Sequence, residues 1–157
     1  MEFKVGFRED HPDTLALHCS DGRFTKAVHA LLTNEHPRYD IMAMPGGPAL
    51  LSQSGGSLVE VEATRGGASF LIRGHKIQHV FLIAHAGCGF YKRKYPGQSP
   101  SWVQERQVQD LQVASAWIRR THPTVAFYLY MAKPTIETGM VDFQAVPLPD
   151  FSKLVVL

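Results

Sequence analysis

Both cysteines of the chain stand in short polar, glycine-containing stretches that follow apolar runs. The first stretch is His18-Cys19-Ser20-Asp21-Gly22-Arg23 and the second is His85-Ala86-Gly87-Cys88-Gly89. Together they supply two thiols, an imidazole, a carboxylate and a guanidinium. Thiolates and imidazole are soft to borderline donors, which suit zinc better than magnesium or calcium. Three protein donors leave the fourth tetrahedral position of a zinc ion open, and that opening distinguishes a catalytic zinc from a structural one. The alternative is a pair of half-buried structural thiols, with Asp21 capping a helix and pairing with Arg23. A His-x-x-Cys pair is common by chance, so neither stretch is specific alone; their joint placement favours zinc. Two cysteines also allow one disulfide, but in a reducing cytosol paired thiols more often bind metal or catalyse.

These residues depend on the elements that carry them. The apolar run Thr14-Leu15-Ala16-Leu17-His18 predicts a buried strand that ends at Cys19. A helix follows with Phe24, Val28, Leu31 and Leu32 on one face, capped by Asp21 or Thr25 and stopped before Pro37. Residues 39–44 read as a second strand, broken by Pro45-Gly46-Gly47-Pro48. A helical period covers 58–74, with Leu58, Val61, Ala68, Leu71 and Ile72 inward and Gly66-Gly67 as a weak point. Residues 79–84 form the clearest strand, apolar on both faces, and it delivers His85. A loop is expected over 87–101. Then come a helix over about 102–120 with Val108, Leu111, Trp117 and Ile118 inward, a strand over 125–131 and an edge strand over 140–146. The alternation predicts a single α/β domain with a mostly parallel central sheet flanked by helices and an antiparallel edge strand near the C-terminus. In such sheets ligands bind beyond the carboxyl ends of the strands, where both cysteine stretches fall.

The two motifs in this order resemble the signature of β-class carbonic anhydrases. Cys19-Ser20-Asp21-Gly22-Arg23 resembles their Cys-x-Asp-x-Arg motif. His85-Ala86-Gly87-Cys88 resembles their His-x-x-Cys motif, preceded as in the family by an apolar strand that begins at His79-Val80. The likeness runs over residues 15–89 and, more loosely, through the last helix and strand. It implies one zinc domain over 1–157, with Cys19, His85 and Cys88 as metal ligands and Asp21 and Arg23 as the catalytic dyad beside the open position. The implied reaction is the reversible hydration of carbon dioxide to bicarbonate by a zinc-bound hydroxide, a carbonate dehydratase (lyase) activity. Asp21 would accept a hydrogen bond from the attacking water, and Arg23 would keep Asp21 ionised and away from the metal. A homodimer or higher homo-oligomer is implied too, since pockets of this family commonly lie beside a dimer contact. The apolar run Leu154-Val155-Val156-Leu157 points the same way.

One segment departs from the family pattern. Met44-Pro45-Gly46-Gly47-Pro48 stands where many members carry Arg-Asn-Ala-Gly-Asn, so the glycines are kept and the polar side chains are gone. The chain is also short for the family and has no long N-terminal helical arm. These differences bear on the substrate more than on the metal. They leave open a hydrolase on the same scaffold acting on carbon disulfide or carbonyl sulfide, and a non-catalytic zinc-binding protein.

The bulk properties fit one such domain. At 157 residues, 45% apolar and 19% charged, the chain can bury a single core and is no disordered polyampholyte. A net charge of +2 gives no basic stripe for nucleic acid; the densest basic cluster, Lys92-Arg93-Lys94, reads as a solvated loop. Met1-Glu2-Phe3-Lys4-Val5 does not open a secretory signal, and no apolar run approaches the roughly 20 residues that span a bilayer, so the cytoplasm is the expected compartment. His18 either backs the site or points away from it. His11, His29, His36, His75, His79 and His122 read as surface or core residues, Phe127, Tyr128 and Tyr130 as core and sheet surface, and Phe90 and Tyr91 as residues that could line an entrance.

Overall fold

The computed structural model describes residues 4–52 and 55–152. Its strands are Thr14–His18 (β1), Asp40–Ala43 (β2), His79–His85 (β3), Ala126–Thr135 (β4) and Met140–Ala145 (β5). They form one sheet in the order β2-β1-β3-β4-β5. β1 pairs in parallel with β2 and β3, β3 pairs in parallel with β4, and β5 closes the edge antiparallel to β4. This is the predicted mixed α/β sheet. His18 stands opposite Ile83, so the residue after β1 emerges beside the end of β3. That register brings the two cysteine stretches to one end of the sheet.

Side chains alternate between two apolar layers, as the pleat requires. Leu15, Leu17, Val80, Leu82, Leu129 and Met131 pack with the helices Leu58–Gly74 (α2) and Pro100–Thr121 (α4). Ala16, Phe81 and Ile83 face the opposite way, against Phe24, Val28 and Leu32 of Gly22–Glu35 (α1). α1 starts at Asp21, whose side chain accepts the Arg23 N–H, and ends at His36 before Pro37.

α2 runs unbroken through Gly66-Gly67 behind a capping box of Ser57 and Glu60. A Cβ at Gly67 would come within 3.2 Å of the Met42 methyl, so the glycine lets α2 lie close to β2. Leu58, expected inward, is 75% exposed, because it precedes the buried stripe of Val61, Thr64, Ala68 and Ile72.

The expected loop over 87–101 contains a short helix, Gly89–Lys94 (α3). Lys92, Arg93 and Lys94 are therefore its last turn rather than a loop. They are exposed as expected and sit where cations suit the helix dipole. The breaker at Pro45 to Pro48 leads into a buried 3-10 turn, Gly47–Leu51, that the glycine-proline pattern did not announce. In α4 the half-buried Val108 gives way to Gln107 and Asp110, which are buried with Leu111, Trp117 and Ile118. β2 is two residues shorter than predicted, and β4 continues to Thr135. The run Leu154-Val155-Val156-Leu157 lies outside the described residues. Among the described residues no helix is long and apolar enough to cross a membrane.

Candidate metal centre

Cys19 follows β1, His85 ends β3, and Cys88 caps the N-terminus of α3. One donor atom from each lies within 4.8 Å of the others, and all three residues are buried. Both thiols are free, with their sulfurs 3.8 Å apart. His85 Nδ1 lies 2.9 Å from the Ala86 carbonyl oxygen, so Nδ1–H donates and Nε2 carries the lone pair. That Nε2 is buried and, among the described residues, has no hydrogen-bond partner. A buried polar atom without a partner is costly, whereas a metal ion would satisfy it. A carbonyl on Nδ1 is the usual outer contact of a ligating histidine, since it fixes the tautomer and the ring plane. The donor set therefore fits zinc in number, softness and burial.

The hydrogen bond between the two thiols shifts them in opposite directions. The hydrogen bond from Cys88 pulls Cys19 down to about 4 against the cost of burial, and the backbone amides of Gly46 and Asp21 add to it. The same contact, together with burial, pushes Cys88 up, and the amides of Tyr91 and Phe90 offset this only in part.

Asp21 and Arg23 meet side to side. Arg23 Nε donates to Oδ1 at 3.0 Å and Nη2 to Oδ2 at 2.6 Å, while Nη2 also lies 3.4 Å from the Gly87 carbonyl of the other loop. These hydrogen bonds hold Asp21 down at about 2. Asp21 Oδ2 is 3.9 Å from His85 Nε2, so the carboxylate borders the donor triangle without joining it. Capping α1, pairing with Arg23 and bordering the donors are compatible roles for one carboxylate.

The departing segment supports Cys19 with backbone alone. Ser20 N–H donates to the Met44 carbonyl and Met44 N–H to the His18 carbonyl, each at 3.2 Å. Gly47 has φ +51°, and a Cβ there would lie 2.6 Å from the His18 carbonyl carbon and 2.7 Å from Cys19 N. Only glycine allows that approach.

Sequence reasoning missed two buried polar residues of α4. Gln107 Nε2 donates to the His85 carbonyl at 2.8 Å. Asp110 accepts from Tyr91 Oη at 2.8 Å, from Ser52 Oγ at 3.0 Å and from Arg106 Nη2 at 3.0 Å. The available signal was that both lie on the stripe marked by Val103 and Ala114. Tyr91, read as an entrance residue, is instead buried against Asp110. Phe90 lines a cleft of about 490 Å³ with Pro45, Leu50 and Arg93. A second cleft, about 330 Å³, borders the cluster at Gly87, Cys88, Val103 and Gln107.

His18 is buried with Nδ1 2.8 Å from the Cys19 carbonyl oxygen, and burial lowers its pKa. His75 pairs with Asp40 at 2.6 Å and stacks on His11. His36 Nδ1 lies 3.0 Å from Thr14 Oγ1, His79 Nδ1 3.3 Å from Tyr128 Oη, and His122 Nε2 3.2 Å from Ser69 Oγ. His29 meets His18 and Tyr39 edge to face. None of these joins the donor cluster found among the described residues.

The mixed five-stranded sheet is the one seen in β-carbonic anhydrases, and the chain has that fold. It is similar to the carbonic anhydrase of Streptococcus mutans, with TM-score 0.57 and 11% identity over 92% of this chain and 88% of that one. A β-carbonic anhydrase of Aspergillus fumigatus superposes with TM-score 0.55 and 11% identity over 90% of this chain and 79% of the other. For one of the tetrameric β-carbonic anhydrases of Sordaria macrospora the TM-score is 0.50 at 11% identity, over 85% and 81%. No protein-family model matches the sequence, and no curated protein matches it. At these identities the likeness lies in the fold.

Proposed function

We propose that the chain acts as one zinc domain that hydrates carbon dioxide reversibly to bicarbonate, with Cys19, His85 and Cys88 holding one zinc ion. The observation that carries this reading is the buried Nε2 of His85, without a hydrogen-bond partner among the described residues, beside two free thiols. Zinc held there supplies Lewis acidity, which lowers the pKa of water and turns it into a nucleophile for an electrophilic carbon.

The protein's own part falls to Asp21 and Arg23. Held at about 2, Asp21 stays ionised at neutral pH. It therefore serves as a hydrogen-bond acceptor that orients water at the edge of the donor triangle, and it does not carry the proton. Arg23 grips both carboxylate oxygens and keeps Asp21 at its 3.9 Å stand-off from His85 Nε2. Turning Arg23 away would release Asp21 towards the donors, where it can complete the set and close the site. Reducing conditions in the cytoplasm would keep both cysteines available as ligands.

A second reading, hydrolysis of carbon disulfide or carbonyl sulfide on the same scaffold, is favoured by the segment from Met44 to Pro48. That segment offers backbone and a thioether where polar side chains would select an oxygenated substrate. We also propose a homodimer or a multiple of one. Tyr128, Tyr130, Val141 and Phe143 are only partly buried on the α1 side of the sheet, and enzymes of this fold from Sordaria macrospora are tetrameric.

Elemental analysis coupled to stopped-flow carbon dioxide hydration on freshly purified protein tests the reading. The expected result is about one zinc per chain and hydration well above the buffer rate. Hydrogen sulfide release from carbon disulfide without hydration would favour the second reading. Zinc-loaded protein inert to both substrates at every pH would make the site a fold staple.

A further inference from the structure

The donor triangle is assembled from two stretches far apart in sequence, which the sheet register brings to one end of the sheet. Helix α4 reaches both sides. Gln107 Nε2 bonds the His85 carbonyl, at the root of the loop that carries His85 and Cys88. Three residues on, Asp110 takes Tyr91 Oη, which stands three residues past Cys88 in α3. The same carboxylate takes Ser52 Oγ, which ends the 3-10 turn whose Gly47 lies against the backbone of Cys19. Gln107, Asp110, Tyr91 and Ser52 are each no more than 2% exposed. Apolar residues of similar volume commonly replace buried ionic groups at no cost in stability, so stability by itself is a weak reason for a carboxylate here. A buried network of polar contacts instead favours one arrangement of the parts that it joins.

We propose that Gln107 and Asp110 are positioning residues: α4 ties the His85–Cys88 loop to the turn beneath Cys19 and so sets the separation of the two thiols and the imidazole. The consequence for metal affinity rests on the zinc reading above, whereas the consequence for thiol spacing does not.

The test uses the full chain as wild type, Gln107→Met, Tyr91→Phe and Ser69→Ala. Met keeps the unbranched shape of Gln without its donor, and Phe removes one donor to Asp110 while filling the same space. Ser69→Ala removes a polar contact to His122, away from the site, and controls for general loosening. Two quantities are read: cobalt affinity and ligand-field spectrum by chelator competition, and the rate at which metal-free protein captures phenylarsine oxide. That trivalent arsenical closes only on two neighbouring thiols.

Gln107→Met and Tyr91→Phe are expected to weaken cobalt binding by about 10- to 100-fold, to alter its ligand-field bands, and to slow arsenical capture by about tenfold. Ser69→Ala is expected to behave as wild type. Wild-type capture rates in Gln107→Met and Tyr91→Phe, or equal slowing in Ser69→Ala, would overturn the proposal. If wild type binds no cobalt while the two variants still lose arsenical capture, the zinc reading fails and the positioning role stands.

Discussion

Gly47→Ala tests how closely the segment from Met44 to Pro48 is fitted to the site. Gly47 has φ +51°, and left-handed backbone costs a residue with a Cβ about 1–2 kcal/mol. The new Cβ would stand 2.6 Å from the His18 carbonyl carbon, 2.7 Å from Cys19 N and 3.0 Å from the His18 carbonyl oxygen. All three are backbone atoms at the end of a central strand, so no side-chain rotation relieves the overlap. Overpacking of this kind costs about 1–3 kcal/mol. Together the two effects predict a loss of about 2–5 kcal/mol, a large part of the ~5–15 kcal/mol by which a domain is stable. Relief requires the 3-10 turn and Cys19 to separate, which stretches the two 3.2 Å bonds between the Met44 and His18–Ser20 backbones and moves one thiol. Zinc affinity should therefore fall together with stability. Urea unfolding of metal-free protein, with a zinc competition titration on the same samples, measures both. Gly66→Ala is the matched control: nothing lies within 4 Å of its Cβ position inside α2, so it should stabilise by about 0.5–1 kcal/mol. If Gly47→Ala unfolds within about 0.5 kcal/mol of wild type and binds zinc as well, the fitted-backbone argument is wrong.

Four further outcomes follow from the site. Cys88→Ser should leave purified protein with little zinc where wild type carries about one per chain; full occupancy in the variant, by elemental analysis, would remove Cys88 from the ligand set. Asp21→Asn should keep zinc and α1, since Asn also caps helices, yet lose on the order of 10²- to 10⁴-fold in hydration rate; stopped-flow rates equal to wild type would refute the dyad. Near neutral pH Cys19 is already ionised while Cys88 keeps its proton, so zinc should displace about one thiol proton and bind about tenfold tighter per pH unit. Calorimetry in buffers of different ionisation enthalpy reads the proton count. Hydration should rise towards alkaline pH, because two thiolates cancel the charge of zinc and leave water less acidified than three neutral histidines do; a flat profile from about pH 6 to 9 at full zinc occupancy would contradict this.

Much of the scaffold was legible in the sequence, for a local reason. Strands buried on both faces read as apolar runs, as at 14–18 and 79–85, and parallel strands leave the residues after them at one end of the sheet. That Cys19, His85 and Cys88 come together was legible in this way, and Asp21 was legible as a cap because helix starts are encoded within a few residues. The local code was also where the reading slipped. Leu58 satisfied the helical period yet fell before the buried stripe, and a Gly-Pro-Ser-rich composition hid the six residues of α3.

Other features belong to the tertiary structure alone. That one carboxylate caps α1, pairs with Arg23 and stands 3.9 Å from His85 Nε2 depends on where β1 and β3 end relative to each other. Gly47 is required by an approach to Cys19, 28 positions earlier, that no turn preference announces. Gln107 meets His85 across 22 positions and Ser52 meets Asp110 across 58. Periodicity records whether a side chain is buried, but the partner that satisfies a buried polar group is chosen by strand order and helix packing. For that physical reason the clustering of Cys19, His85 and Cys88 could be read from the sequence, while the buried polar contacts of α4 could not.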